Sequence, residues 1–378
     1  MRVGVFTYGL EARLTGIGRY TVELTRALKR LDASLEIILL NPYPNSKLGW
    51  YQEFETYPVP ELRRVPLAAS LGNWTLHRAA LRLGLDVLHD PCGIAPFLAP
   101  TRRYRRATTV HDAIPLMNPQ VQPLATRLIF RTLIPLARHT ADLVLTVSCA
   151  SAQDLERYAG IPAHKLCVTP LGVTPPPHMR SEEVQQALAS LNLEPPYFLY
   201  VGALHPRKNL WRVLEAFAEV RREAPALRLV IVGPASWRAH EVFRSARHLE
   251  GVVFTGYVSE PTLHALYYGA LALVFPSLYE GFGLPALEAM AHGTPVIAAN
   301  TSAFPEVVAD AGILVNPTDT RAIGAAMRQV LADAQLRARL GEVGRLRAQA
   351  FTWTRTARAT LEAYRALLEA PAPSGTGG

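Results

Sequence analysis

The sequence contains few cysteines and no long apolar segment. Its 378 residues include three cysteines, an odd number, at positions that are far apart: Cys92, Cys149 and Cys167. This usage excludes a disulfide framework and a C-x-x-C metal site, and we expect reduced, buried thiols in a cytoplasmic protein. No apolar run reaches about 18 residues, so the sequence predicts no transmembrane helix. The N-terminal segment MRVGVFTYGL has too short an apolar stretch for a signal peptide and is typical of a first strand.

Two motifs that many nucleotide-using enzymes carry are also missing. No D-x-D sequence occurs in the chain. Divalent ions bind carboxylate oxygens, and metal-dependent nucleotide-sugar enzymes commonly use such a pair, so we expect no metal ion and no cofactor. After the first strand, TGIGRYT lacks the third glycine of the G-x-G-x-x-G fingerprint, and the strand EIILL runs into Asn41 instead of an acidic residue. These departures disfavour a nicotinamide-dependent oxidoreductase.

The excess of positive charge lies entirely in the first half of the chain. Residues 1–180 contain 21 Lys and Arg against 13 Asp and Glu, whereas residues 181–378 contain 18 of each kind. The densest cluster surrounds Tyr104 and consists of Arg102, Arg103, Arg105 and Arg106. No zinc spacing, helix-turn-helix or aromatic RNA-binding signature accompanies this cluster, so we expect no nucleic-acid partner. An anionic membrane surface or a lipid-phosphate acceptor fits these arginines, and an ordinary solvated loop fits them as well.

Strands and helices alternate along the chain in two successive series. This alternation predicts two α/β domains with parallel sheets, and 378 residues are too many for one ordinary core. We expect an N-terminal domain over 1–175 and a C-terminal domain over 190–353. A helix over 354–370 follows, with the first domain as one candidate surface for it, and residues 371–378 form a disordered tail.

The most informative segment is FPSLYEGFGLPALEAMAHGTPVIAAN, residues 275–300. It predicts a strand, a Gly-rich loop and a helix with Pro285 as its first residue, so free backbone N–H groups face an anion or hydroxyl at the sheet edge. Glu280 lies in the loop and Glu288 one turn into the helix, and two such acceptors suit a polyhydroxylated ligand. The alternatives are an exposed loop acid for Glu280 and a favourable N-terminal helix charge for Glu288.

The segment EGFGLPALEAM resembles the E-x7-E motif of the family 4 retaining glycosyltransferases. VGALHPRKNL resembles the phosphate-binding segment of the same family. Further matches occur in the expected order over nearly the whole chain: GIGRYTVEL, VHDAIP, TVSCASAQDL, VTPLGV, FPEVVADAGILVNPTD and FTW. The resemblance is greatest to the mannosyltransferase-like branch. It implies the GT-B fold, an α/β architecture in which two Rossmann-like domains face each other across a deep cleft.

The resemblance also implies roles for the two carboxylates and the loop between them. Glu288 would bind the ribose hydroxyls of the donor nucleotide. Glu280 would hold the transferring sugar and stabilise positive charge near its anomeric carbon. The backbone amides of the loop would meet the sugar hydroxyls and phosphate, and they belong to Phe282, Gly283 and Leu284.

Other implied contacts lie on separate loops. Arg207 and Lys208 would hold the diphosphate, the backbone of Tyr257 and Val258 would read the base, and Gly16 would let the first loop approach the diphosphate closely.

A role for Arg207 and Lys208 in binding a diphosphate can also be argued without the family resemblance. A departing diphosphate gains negative charge, which fixed cations stabilise, although the pair would equally suit a loop cap. Many family members have an arginine where this chain has Ala203, so one expected phosphate contact is missing.

His111 ends the strand ATTVHD, at the edge where ligands bind to open α/β sheets. By resemblance it would sit near the reacting sugar as a catalytic residue, and a histidine can hydrogen-bond a hydroxyl or move a proton near neutral pH. The alternative is a strand-end histidine bonded to a nearby backbone group.

The implied reaction is retaining transfer of a hexose, mannose first, from a GDP- or UDP-linked sugar to a glycan or lipid-linked acceptor. We expect a cytoplasmic enzyme, with peripheral contact to an anionic membrane through its N-terminal domain as an extension. Two alternatives remain open, a sugar-nucleotide epimerase or hydrolase of the same fold and a non-catalytic sugar-nucleotide-binding protein.

Overall fold

The computed structural model describes residues 1–11, 15–70, 72–95, 97–99, 101–117, 124–235, 246 and 248–370. The chain forms two compact units. Unit 1 consists of Met1–Gly172 together with the C-terminal segment that begins at Trp353, and unit 2 consists of Val173–Thr352. The predicted tail over 371–378 lies outside the described residues.

Unit 1 is built on a seven-stranded parallel sheet in the order β3-β2-β1-β4-β5-β6-β7. The strands are β1 Arg2–Phe6, β2 Glu36–Asn41, β3 Glu55–Pro58, β4 Val87–Asp90, β5 Arg105–Thr109, β6 Leu143–Thr146 and β7 Leu166–Val168. The inner strands β1, β2 and β6 are mainly apolar and buried, as expected of a parallel sheet covered by helices on both faces, whereas β4 and β5 also bury polar residues such as His89 and Thr109. The order reverses between β1 and β4, as in Rossmann-like domains.

Six helices lie in the described part of unit 1 before the second unit begins. They are α1 Gly16–Leu31, α2 Val65–Ser70, α3 Gly72–Leu83, α4 Ile114–Met117, α5 Leu124–Thr140 and α6 Cys149–Ala159. Short 3-10 turns cover Gly49–Glu53, Pro60–Leu62 and Ala163–Lys165. Helix α1 begins after Thr15, whose side chain accepts a hydrogen bond from the Gly18 amide at 3.2 Å, as an N-cap residue does.

Unit 2 contains a six-stranded parallel sheet in the order β10-β9-β8-β11-β12-β13. The strands are β8 Tyr197–Val201, β9 Arg228–Val232, β10 Val252–Gly256, β11 Leu273–Phe275, β12 Val296–Ala299 and β13 Ile313–Val315. The described helices are α7 Ser181–Ala189, α8 Leu210–Glu223, α9 Glu260–Gly269, α10 Leu284–His292, α11 Phe304–Val307, α12 Thr320–Ala332 and α13 Ala334–Ala348, with a 3-10 turn at Pro206–Lys208. The order reverses between β8 and β11. The predicted fold class, α/β with two Rossmann-like domains, is confirmed.

The last helix, α14 Trp353–Glu369, belongs to unit 1 although it follows unit 2 in the chain. It packs along α1, and its buried residues include Tyr364. The Thr356 hydroxyl donates to the Pro170 carbonyl at 2.6 Å. The two ends of unit 2 meet where the Val173 amide donates to the Phe351 carbonyl at 3.0 Å.

Two further expectations concern the thiols and the membrane. All three cysteines are free, and burial raises the pKa of the Cys92 and Cys167 thiols. The expectation of buried thiols is wrong for Cys149, which is exposed as the first residue of α6, whereas Cys92 and Cys167 are half-buried. Among the helices of the described residues, none combines the length and the apolar character needed to cross a bilayer.

Candidate functional site

The strand order of unit 2 brings two candidate loops to one edge of its sheet. β8 and β11 are neighbours, with Leu199 opposite Leu273, and the sheet order reverses between them. Both strands are parallel, so the loops that follow them leave at the same edge. Open α/β sheets bind ligands at the carboxyl edge beside such a reversal. The loop after β8 carries Arg207 and Lys208, and the loop after β11 carries Glu280.

A three-residue ion cluster forms between these loops. Lys208 Nζ donates to Glu280 Oε1 at 2.6 Å, and Arg207 Nη1 lies 3.0 Å from Glu280 Oε2. Each cation therefore faces a different oxygen of the same carboxylate. The Glu280 side chain is only 9% exposed, so the alternative of an exposed loop acid is wrong. We refer to Arg207, Lys208 and Glu280 as the ion cluster.

Glu280 carries its charge in spite of its burial. Burial alone raises the pKa of this carboxyl, but the charges of Arg207 and Lys208 outweigh that effect and lower the pKa to about 2. Glu280 is therefore ionised at neutral pH. The ion cluster holds two cations and one anion, so a net positive charge remains in a partly buried site. Such a site attracts an anion.

Asn209 fixes the turn that carries the two cations. It is fully buried, and its backbone is left-handed with φ 60°, a conformation that Asn tolerates better than most residues. Its side-chain amide donates to the carbonyls of Pro276 at 2.9 Å and Pro317 at 2.7 Å. The turn is thereby pinned to the segment that follows β11. Sequence analysis missed this residue because its partners lie 67 and 108 positions away.

The Gly-rich loop ends at Gly283, which caps α10. Its φ is 98°, and a Cβ at this position would lie 2.9 Å from the Phe304 ring, so glycine is required for two reasons. The Phe282 side chain is buried against Phe351. The backbone amide of Phe282, and not its side chain, is therefore the candidate group for a ligand. Leu284 is the first residue of α10 and Pro285 the second, and amides at such a helix start have no intrahelical acceptor.

Glu288 is held by a second set of side chains. It is the fifth residue of α10 and half-buried, so it lies beyond the first helical turn. The Tyr267 hydroxyl donates to Glu288 Oε2 at 3.0 Å. The Tyr267 ring in turn stacks on His292 with a centroid distance of 4.8 Å.

His292 completes this arrangement. Its Nδ1 donates to the Glu288 carbonyl at 2.7 Å, and its Nε2 lies 2.8 Å from His264 Nδ1. Burial lowers the pKa of His292 to about 4, so the ring is neutral at pH 7. Sequence analysis missed Tyr267 and His292, because nothing in the spacing shows that α9 packs against α10.

Other positions predicted for this unit lie elsewhere on the sheet. Tyr257 and Val258 follow β10, which is separated from β8 by β9. Tyr257 is 69% exposed. The ends of β8 and β9 approach each other closely, since a Cβ on Gly233 would lie 2.1 Å from the Gly202 carbonyl oxygen.

His111 lies in unit 1, shortly after β5. Its Nε2 lies 2.9 Å from the Pro91 carbonyl oxygen. A carbonyl can only accept, so Nε2 carries the proton and Nδ1 keeps a lone pair. Burial lowers the pKa of His111 to about 4. His111 is therefore bonded to a nearby backbone group through Nε2, as the alternative interpretation predicted. Its Nδ1 can accept a hydrogen bond from a hydroxyl.

A buried chain of hydrogen bonds supports the region around His111. The Tyr20 ring meets His111 edge-on at 4.9 Å, and its hydroxyl lies 3.0 Å from Thr109 Oγ1. The same Thr109 oxygen lies 2.8 Å from His89 Nε2, and His89 Nδ1 lies 2.7 Å from the Tyr364 hydroxyl. Helix α14 is thus connected to β4, β5 and α1.

Gly16 is the exposed first residue of α1. Within the described residues, a Cβ built on Gly16 would meet no atom within 4 Å. Neither its φ nor its neighbours in the described chain require glycine. A small residue here leaves open space beside the start of α1.

Two family models match this chain. Residues 182–347 match the glycosyl transferases group 1, and residues 14–176 match Glycosyltransferase Family 4. Among curated proteins, O-antigen chain mannosyltransferase B of Escherichia coli is 32% identical over 97% of this chain and 100% of its own length. MMP alpha-(1->4)-mannosyltransferase of Mycolicibacterium hassiacum is 29% identical, over 96% and 98% of the two chains.

Solved structures share the fold at lower identity. Sucrose-phosphate synthase from Thermosynechococcus elongatus superimposes with a TM-score of 0.76 at 24% identity, covering 98% of this chain and 100% of its own. Anabaena HepE in complex with UDP-glucose gives a TM-score of 0.76 at 18% identity, covering 97% and 100%. At these identities the likeness concerns the fold alone.

Proposed function

This chain belongs to the family 4 glycosyltransferases, and from that membership we propose that it transfers a hexose, with retention, from a nucleotide-diphosphate sugar to a glycan or lipid-linked acceptor. The ion cluster of Arg207, Lys208 and Glu280 is the observation that carries the proposal. Mannose is the proposed hexose because two relatives aligned over nearly their whole length are named mannosyltransferases. The donor base is guanine or uracil, and the HepE complexes with UDP and UDP-glucose support the nucleotide-sugar class.

The cations of the ion cluster suit the leaving group. As the bond between the anomeric carbon and the diphosphate oxygen breaks, its electron pair moves to the diphosphate. Arg207 and Lys208 already share one carboxylate, and the net positive charge stabilises the added charge without reorganisation. We therefore propose that no metal ion is needed.

Glu280 is proposed to act on the sugar. It is ionised, and a fixed carboxylate stabilises the positive charge that develops at the anomeric carbon. The acceptor hydroxyl attacks from the face that the diphosphate leaves, and its proton passes to the departing phosphate oxygen. Because the bond to the acceptor forms on the face from which the diphosphate departs, the anomeric configuration is retained, and the atoms balance without an enzymic nucleophile.

The remaining contacts are proposed residue by residue. Glu288 takes the ribose hydroxyls, supported by the Tyr267 bond that orients it. The amides of Phe282, Gly283 and Leu284 take sugar hydroxyls and phosphate.

The other assignments rest on backbone position and available space. The backbone of Tyr257 and Val258 reads the base, and Gly16 leaves room for the diphosphate. His111 offers its Nδ1 to a hydroxyl of the transferring sugar.

A panel of nucleotide sugars tests the proposal. Thermal stability and release of nucleoside diphosphate are measured with each donor in the presence of a chelator. We expect one donor family to stabilise the protein and to be hydrolysed slowly, with faster turnover on adding acceptor. Turnover that appears only on adding Mn²⁺ contradicts metal independence. Full conversion without any acceptor supports a hydrolase or epimerase, and binding without turnover supports a non-catalytic protein.

A further inference from the structure

Helix α3 presents a face to solvent that is both apolar and basic. Trp74, Arg78, Leu81 and Arg82 follow each other at helical spacing, so they share one side of the helix. All four are exposed, Trp74 to 58% and Leu81 to 38%. Other residues of α3, including Leu76, are buried in the core of unit 1. Tryptophan exposed to this extent is uncommon on a folded surface.

Two loop contacts extend this face beyond the helix. The Asn73 side chain accepts a hydrogen bond from the Ala99 amide at 2.6 Å. This bond brings the exposed Leu98, of which 54% is accessible, beside the start of α3. His77 Nδ1 lies 2.9 Å from the buried Tyr104 hydroxyl, which ties the arginine loop to the same helix.

The structure divides the arginine cluster into two pairs. Arg102 and Arg103 are exposed. Arg106 is only 15% exposed, and its guanidinium binds both oxygens of Asp142, while Arg105 donates to the Ala370 carbonyl at 2.6 Å. Of the four clustered arginines, Arg102 and Arg103 are thus the two that the structure leaves exposed. We define the α3 surface by its exposed members, which are Trp74, Arg78, Leu81, Arg82, Leu98, Arg102 and Arg103.

The chemistry of the α3 surface matches an anionic lipid bilayer. Neither residues 72–83 nor residues 97–106 contain an Asp or Glu, so these two segments contribute only positive charge to the α3 surface. Indole and leucine side chains partition into the boundary between headgroups and acyl chains, and arginines bind lipid phosphates. Single-stranded nucleic acid also binds aromatic and basic side chains. That mode of binding does not explain the two exposed leucines, whereas insertion into a bilayer does.

We propose that the α3 surface docks this protein on anionic membranes. Trp74, Leu81 and Leu98 enter the headgroup boundary, and the arginines contact lipid phosphates. Membrane docking would bring the protein to the surface that contains a lipid-linked acceptor. Only this link to the acceptor rests on the proposed function. The docking itself requires neither donor nor acceptor.

Sedimentation with vesicles tests the docking directly. The full chain is incubated with vesicles of phosphatidylcholine, with or without about one third phosphatidylglycerol, at low and at physiological salt. We expect binding to the anionic vesicles only, weaker at higher salt. Absence of binding to anionic vesicles at both salt concentrations would overturn the proposal.

Matched variants locate the contact. Each arginine near an anionic surface strengthens binding roughly five-fold, so Arg78→Gln with Arg82→Gln should weaken binding by about 25-fold. The control, Arg355→Gln with Arg358→Gln, removes the same charge from exposed positions of α14 and should change binding little. Helix α14 lies across the sheet from α3, because Leu88 packs in the core beside α3 while the next residue, His89, bonds Tyr364. Equal loss in both double variants would contradict the assignment.

The apolar members have their own control. Trp74→Ala should weaken vesicle binding several-fold, whereas Trp211→Ala, at an exposed tryptophan of unit 2, should not. All the substituted side chains are exposed, so melting temperatures should stay within error of the wild type. Retention of the protein on a single-stranded polynucleotide, with none on the vesicles, would overturn the membrane proposal in favour of nucleic acid.

These results stand apart from those on glycosyl transfer. Release of diphosphate from a soluble donor by the α3 variants should equal that of the wild type. If the wild type turns over donor normally but does not bind vesicles, the membrane-docking proposal is refuted and the proposed function is unaffected.

Discussion

At the scale of single residues, Glu280 carries the largest share of the proposed chemistry. Its carboxylate is buried and meets both cations. Glu280→Gln keeps the shape and removes the charge, so we expect kcat to fall at least about 100-fold while donor affinity changes little. Steady-state kinetics together with donor titration separate the two effects.

The matched control for this substitution is Glu342→Gln. Glu342 is an exposed carboxylate that also faces an arginine, Arg345 at 2.7 Å, and its replacement should leave kcat unchanged. Equal losses of kcat and donor affinity in Glu280→Gln would argue against a role confined to the transition state.

Tyr267 is a positioning residue for Glu288. Its hydroxyl holds Oε2 of that carboxylate, so Tyr267→Phe should loosen Glu288 and raise the KM for the donor several-fold, by about 1 kcal/mol of binding. kcat should stay near the wild-type value. The neighbouring Tyr268→Phe loses a hydroxyl bond to the Pro177 carbonyl instead and serves as control. A matching rise in KM in both variants would assign the effect to α9 as a whole.

At the scale of elements, His89 links β4 to α14, and its protonation should change the stability of the fold with pH in a predictable direction. Burial, with a smaller effect of His111, lowers the pKa of His89 to about 3, against about 6.5 in the unfolded chain. Between these pH values the unfolded state binds a proton that the folded state does not. The stability linked to His89 is therefore complete above pH 6.5 and falls as the pH decreases towards the folded pKa.

This linkage is measured by denaturant unfolding at two pH values. From pH 6.5 to pH 5 the free energy of unfolding should fall by about 2 kcal/mol for this histidine. His89→Gln removes the titrating group, so its unfolding should depend less on pH, whereas His178→Gln, at an exposed position, should keep the wild-type dependence. The same pH dependence in all three proteins would show that His89 does not titrate in this way.

The elements themselves were largely predictable from the sequence, whereas their contacts were not. Apolar runs such as EIILL predict strands directly, and the Gly-rich loop predicts the start of α10. The left-handed backbone at Asn209 and the approach of Tyr267 to Glu288 depend on partners far away in the chain. The burial of Glu280 also depends on packing between elements, which explains why an exposed loop acid remained an alternative.

At the scale of the whole molecule, charge and fold give separate information. The alternation of elements predicts two parallel sheets, and the structure adds the reversal of strand order within each of them. The family resemblance in the motifs agrees with the two family models. The excess charge of the first half says nothing about the reaction. Part of this excess lies on the α3 surface, which combines four exposed arginines with the exposed Trp74.

The anomeric configuration of the product tests the central claim most directly. The enzyme is supplied with an α-linked nucleotide sugar and an acceptor in the presence of a chelator, and the new linkage is assigned by NMR before the product can equilibrate. We predict an α-linked product, as front-face transfer stabilised by Glu280, Arg207 and Lys208 requires. A β-linked product would contradict the account, because it would require attack from the opposite face of the sugar.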